Sequence, residues 1–82
     1  MDADHIRRLI QAALPEAEVR VSGAVGVHFD AEVVSATFAG LRPLQRHRVV
    51  YAALGDLMGG AIHALALRTL TPEERADAAP GL

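Results

Sequence analysis

Cysteine is absent from this chain, and so are lysine and tryptophan. Without a thiol, the chain cannot build a disulfide, a thiolate metal site or a cysteine nucleophile from its own residues. Aromatics are few: Phe29, Phe38 and Tyr51 are all there are, which leaves little for the stacking platforms of single-strand nucleic-acid binders. Long apolar runs are missing as well. "VVYAAL" and "AIHALAL" fall far short of the ~20 residues that a membrane-spanning helix needs. The opening "MDADHIRR" has no apolar run behind it and does not read as a secretory signal, so a cytoplasmic protein without membrane contact is the expectation. All eight basic residues are arginine, set against ten acidic ones for a net charge of −2. Bulk electrostatics therefore does not make the whole domain a polyanion binder.

What is present is a globular composition. Hydrophobic residues make up 51% and charged residues 22%, which argues against disorder. The 82 residues suit one domain, expected over residues 1–76, with 77–82 as a flexible tail. A domain of this size buries only ~60% of the surface its unfolded chain exposes, so its stability is modest.

Ile6, Leu9, Ile10, Ala13 and Leu14 recur at helical spacing. Asp2 and Asp4 suit the helix N-terminus, and Pro15 ends the helix at about Leu14. His5 lies off the stripe and reads as solvated. "EVRVS" and "VHFDAEVV" alternate with period two and one wet face, predicting an antiparallel hairpin. "SGAVG" connects them, with Gly23 and Gly26 free to take positive φ. A second helix starts at Pro43, with Val50, Leu54, Leu57 and Ala61 on its apolar side and Gly55 dividing it into two pieces. "AIHALALRTL" is a third strand, and Thr71 caps a last helix with Pro72 at its first position. The order is α-β-β-α-β-α. Strands two and three, joined by a helix, should be parallel. The fold class is α+β: a three-stranded mixed sheet with helices on one face.

Catalytic patterns are weak. Ser22 and Ser35 and four histidines are available, but no nucleophile-elbow motif surrounds either serine, and the chain is small for enclosing a substrate. A stand-alone enzyme is not expected. "RPLQRHR" places Arg42, Arg46, His47 and Arg48 around the start of the second helix, a candidate partner or nucleic-acid surface, helped by the positive helix end. A solvated basic face is the plainer alternative. "GAVG" matches the G-x-x-G string of KH domains, but here it joins two strands instead of two helices.

The histidines pose the sharper question. His63 opens an otherwise apolar strand and shares parity with Leu65 and Leu67, the packed side. His28 shares parity with Asp30 and Glu32, the wet side. If both strands are regular to their ends, the two rings point to opposite faces. Neither has a local partner such as H-x-x-x-H, so pattern alone leaves open whether they are ligands or hydrogen-bonded strand-end residues.

Phe38, Gly40, Leu44, Arg46-His47-Arg48, Val50, Tyr51, Leu54, Ile62-His63-Ala64-Leu65 and Thr71-Pro72 together resemble the BolA family, and "VHFDAEVVS" matches that family's second strand. The likeness runs from about Ile6 to Glu74. It implies the BolA-like α+β fold, related to type II KH domains without their G-x-x-G loop. It implies a monothiol glutaredoxin as partner, either around a bridging [2Fe–2S] cluster with glutathione supplied by the partner or in a cluster-free complex. The roles it implies are iron–sulfur trafficking and iron regulation; some bacterial members are described as DNA-binding regulators linked to stress. The histidine of the family's "H-A-L" motif is its metal ligand, here His63. The family's second ligand, Cys or His, comes from the loop between strands one and two. "SGAVGV" contains neither, and His28 is the nearest candidate. The aromatic often found after the family's "T-P-x-x" is replaced by Arg75. DNA and a second copy of the chain stay open as further partners.

Overall fold

The computed structural model describes residues 2–23, 28–62 and 64–78. Its order is α1 (Ala3–Ala13), β1 (Glu18–Ser22), β2 (His28–Val34), α2 (Pro43–Leu54), β3 (Ala64–Leu70) and α3 (Pro72–Ala78). The sheet order is β1-β2-β3. β1 pairs antiparallel with β2, Val19 opposite Val33, and β2 pairs parallel with β3, Phe29 opposite Leu65. The expected α+β class, element order and mixed sheet are all present. No helix among the described residues is long and apolar enough to cross a membrane.

Asp2 starts α1 by accepting the His5 N–H at 2.8 Å, the N-cap role that short polar side chains fill best. Leu14 ends it, and Gln11 Nε2 satisfies the carbonyls of Leu14, Pro15 and Ala17. Ile6, Ile10 and Leu14 are buried; Ala13, expected on the stripe, is exposed. Facing them are Val19 of β1, Phe29 and Val33 of β2, Val50 and Leu54 of α2, and Phe38 and Ile62 from the connections. Phe38, Ile6, Ile10 and Ile62 are wholly buried, each contributing about 1.5–3 kcal/mol relative to exposure.

Pro43 occupies the first turn of α2, and Gln45 Oε1 accepts the Arg42 N–H at 2.9 Å. The helix ends at Leu54 because Gly55 takes φ +55°, a left-handed value that L-residues with a side chain resist. A 3-10 turn, Gly55–Leu57, follows, so the second helix is divided at Gly55. The chain then folds back through Ile62 N to Leu57 O and Gly59 N to Ile62 O. The third strand starts at Ala64, later than the run "AIHALALRTL" suggests, and Ala61 is exposed instead of lying on the apolar stripe.

Thr71 caps α3 as expected: its Oγ1 accepts the Glu74 N–H at 3.1 Å, while Glu74 Oε1 accepts the Thr71 N–H at 2.9 Å. This is a reciprocal capping box. α1 and α2 pack on the apolar face of the sheet, whereas α3 lies along β3 and carries Arg75 to Glu32, on the opposite face. Asp77 and Ala78, expected in the tail, form the end of α3; residues 79–82 lie outside the described set.

Arg46 points inward, with its side chain 10% exposed. Its Nε donates to Leu41 O at 2.9 Å and its Nη1 to Thr69 O at 3.4 Å. Both Nη atoms bond the Glu74 carboxylate, at 2.6 and 3.1 Å, the bidentate geometry that the guanidinium fork favours. The guanidinium carbon also lies 6.0 Å from the centre of the Phe38 ring, within cation–π range. First Arg46 and then the Thr71 backbone N–H hold the Glu74 carboxyl down at about 2.

Two predictions follow from the packing and the ion pair. A Cβ at Gly23 would lie 2.6 Å from Phe29 Cδ1 and 3.0 Å from His28 O. Gly23→Ala should therefore cost about 1–3 kcal/mol in urea unfolding, and an unchanged midpoint would contradict the close approach. Glu74 titrates lower in the folded state than the usual 4.5, so its contribution is complete above that value and is lost as pH falls through about 2. The stability gap between the parent chain and Glu74→Gln should hold at neutral pH and close across that window. In an Arg46→Met background the gap should be much reduced at neutral pH, and a gap of full size there would rule out the pair as its source.

Candidate functional site

The start of α2 and the opening of β2 carry the described residues singled out from the sequence. At α2, the four basic residues do not act as one cluster. Arg42 is exposed at the N-cap, His47 is half-buried and Arg48 is exposed. Arg46 is the correction. Four residues before Val50 on a helix of 3.6 residues per turn, it falls on the core side, where Glu74 and two carbonyls take up its donors. It is therefore not part of the candidate partner or nucleic-acid surface expected from Arg42, Arg46, His47 and Arg48. The sequence holds a signal for this: Glu74 is both the capping-box acid of α3 and an acceptor able to hold a buried guanidinium.

The outer side of α2 is different in kind. Leu44 is 61% exposed and Tyr51 is 37% exposed. The His47 ring meets the Tyr51 ring edge-on, with centroids 6.2 Å apart at 73°. Leu44, His47, Arg48 and Tyr51 are spaced three, four and seven apart, one stripe of a helix.

His28 is exposed at the first position of β2. Its register partner is Ala64, the first residue of β3, which offers no donor atom. His28 and Asp30 share the exposed side of β2 while Phe29 and Ala31 are buried, as the alternation predicts. His63 lies outside the described residues. Before it, Gly59, Gly60 and Ala61 are exposed, and Ile62 is buried. Among the described residues, no group of three or more His, Asp or Glu side chains could hold a metal ion.

The sheet face opposite α1 and α2 forms a shallow concavity of about 550 Å³, lined by Arg20, Ser22, Asp30, Glu32, Ala66 and Arg68 among others. Arg20, Glu32 and Arg68 stand side by side across the three strands. Arg68 approaches Glu32 at 3.7 Å, Arg75 pairs with the same carboxylate, and Arg20 pairs with Glu18 at 3.3 Å. The row is closely balanced in charge. Arg75 ties α3 to this face through Glu32.

Of the two serines, Ser22 is exposed at the end of β1. Ser35 is 1% exposed. Its Oγ donates to Glu16 and accepts the Thr37 N–H at 3.1 Å. Thr37 Oγ1 also donates to Glu16 at 2.9 Å. The Ser35 hydroxyl lowers the Glu16 carboxyl below its usual range, against the opposing effect of desolvation and with smaller help from the Thr37 hydroxyl and N–H. Ser35 is a structural cap for the 3-10 turn Ala36–Phe38.

A family model described as BolA-like protein matches residues 11–74. An uncharacterised protein of the rpoN–murA intergenic region of Acinetobacter guillouiae is 40% identical over 75 residues, spanning 90% of this chain and 89% of that one. A protein named DNA-binding transcriptional regulator BolA, from Vibrio cholerae, is 53% identical over 47 residues, 57% of this chain and 44% of the relative. The curated BolA-like proteins and BolA regulators thus align over about a third to a half of their own length. The solved structure of a BolA homologue from Coxiella burnetii superposes with a TM-score of 0.79 at 45% identity, covering 93% of this chain and 99% of that one. With a family match across most of its length, a relative alike from end to end, and the same sheet and helices in a solved homologue, this chain belongs to the BolA-like family.

Proposed function

We propose that this protein is a non-enzymatic cytoplasmic adaptor that pairs with a monothiol glutaredoxin and co-ligates or modulates a bridging [2Fe–2S] cluster in iron–sulfur trafficking and iron regulation. The observation that carries the reading is the Ile62-His63-Ala64-Leu65 motif in a cysteine-free member of the family. A chain without thiols cannot hold such a cluster alone. It can contribute an imidazole to a site completed by a partner's cysteine and by glutathione. In that site His63 is the ligand, and exposed His28 is the second candidate. A neutral imidazole in place of a thiolate lowers the negative charge on a bound cluster and raises its potential. The exposed run Gly59, Gly60 and Ala61 gives a partner low steric resistance just before the motif.

A second reading, a DNA-binding transcriptional regulator, draws on the name of the Vibrio cholerae relative. With Arg46 paired internally, it would rest on Arg42, His47, Arg48 and the rest of α2.

Anaerobic reconstitution with a monothiol glutaredoxin and glutathione tests the first reading. The chain should change the visible absorption and circular dichroism of the glutaredoxin-bound cluster. His63→Ala should restore the spectrum of the glutaredoxin alone, and His28→Ala should have a smaller effect. An unchanged spectrum together with no complex on size exclusion would falsify the adaptor reading. Binding to a DNA duplex that weakens steeply with added salt would then favour the regulator.

A further inference from the structure

Among the described residues, two large hydrophobic side chains are exposed, and both belong to α2. Leu44 and Tyr51 lie seven residues apart, two turns or about 10 Å along one side of the helix. His47 and Arg48 fill the positions between them. From Pro43 to Leu54 the helix contains no acidic residue, although the chain as a whole carries −2. Arg46, which among the described residues is the one α2 cation with a carboxylate on it, faces the other way. The outer stripe is therefore apolar at both ends and positive between them.

We infer that this stripe is a protein-docking surface, and that its occupant is an acidic amphipathic helix of another protein. Tyr and Arg are among the residue types enriched at the centres of protein interfaces, and here they stand beside exposed Leu44. Contact between His47 and Tyr51 holds the tyrosine ring ready, which reduces the side-chain ordering that binding requires. Charge complementarity selects the partner: carboxylates meet Arg48, Arg42 and His47, while two apolar side chains seven residues apart cover Leu44 and Tyr51. Duplex DNA fits less well. Strong phosphate-driven binding rests on roughly 6–10 charge contacts, far more than Arg42, Arg48 and His47 provide, and Leu44 would gain nothing against a phosphate backbone. The stripe uses none of the residues named in the cluster reading, so the inference does not depend on it.

The test is an NMR titration of the full ¹⁵N-labelled chain with a synthetic helical peptide carrying two leucines seven residues apart and glutamates around them. A short DNA duplex and simple dilution of the chain serve as parallel arms. The peptide should perturb the amides of α2 and leave those of the open sheet face unmoved. Leu44→Ser and Arg48→Glu should each weaken binding about tenfold, equivalent to ~1.4 kcal/mol. A lysine version of the peptide should gain on Arg48→Glu. Both positions are exposed, so both variants should fold. The inference fails if the peptide does not bind, if it binds elsewhere, if the duplex binds the same amides more tightly at physiological salt, or if dilution alone moves the stripe and so identifies a second copy as the occupant. None of these outcomes touches the reconstitution experiment, where loss of the His63 effect is read separately.

Discussion

The guanidinium of Arg46 is the point at which separate parts of this small fold meet. One side chain joins the carbonyl before α2, a carbonyl near the end of β3, the capping acid of α3 and the face of buried Phe38. A group with five fixed donors and no acceptor can be placed under a helix only when acceptors surround it. Here they come from the turn just before α2 and, 23 and 28 residues after Arg46, from β3 and α3. The consequence is mutual: Glu74 caps α3 and holds Arg46 at once, its Oε1 accepting from both the Thr71 N–H and Arg46 Nη1 while its Oε2 accepts from Arg46 Nη2. Remove either partner and the other is left with a charge in a partly dry setting.

That arrangement also decides what the molecule shows to the outside. By turning Arg46 inward, α2 presents Arg48, His47, Leu44 and Tyr51 outward, a surface of mixed rather than purely basic character. By fixing α3 along β3, the same pair brings Arg75 over to Glu32. Three arginines then surround or approach the charges of the open sheet face, balanced by Glu18, Glu32 and Asp30. A balanced row of exposed charges adds little stability pair by pair. It does keep one sheet face of a three-stranded domain hydrated, while the other carries the core.

Much of the fold was legible because its signals are local. Strand alternation at Val19 and Val21, and at Phe29, Ala31 and Val33, set the wet and dry faces, and Asp2, Pro15, Pro43, Gly55 and Thr71 marked helix boundaries near where they occur. The errors have a common cause. Arg46 looked like surface because charge dominates its reading in sequence, whereas its position relative to Val50 and Leu54 was the better guide. Its acceptor lies 28 residues away, beyond any local pattern. α3 runs to Ala78, past the boundary at residue 76, because its start rests on the reciprocal cap between Thr71 and Glu74 and not on apolar periodicity. The stripe of Leu44, His47, Arg48 and Tyr51 was visible as spacing; what separated it from a core face was burial, which requires the neighbouring elements.

The histidines show where pattern and register inform one another. Alternation put His28 on the wet side, and the sheet keeps it exposed there, opposite an alanine. A strand pair with a ligand on one member and Ala64 on the other is no chelate. Any metal chemistry that uses His28 must therefore draw its remaining donors from the connections at this end of the sheet or from another molecule. The absence of cysteine across the whole chain makes the second source unavoidable for an iron–sulfur cluster. Reliance on a partner's donors is accordingly part of the proposed cluster reading, whichever histidine serves it.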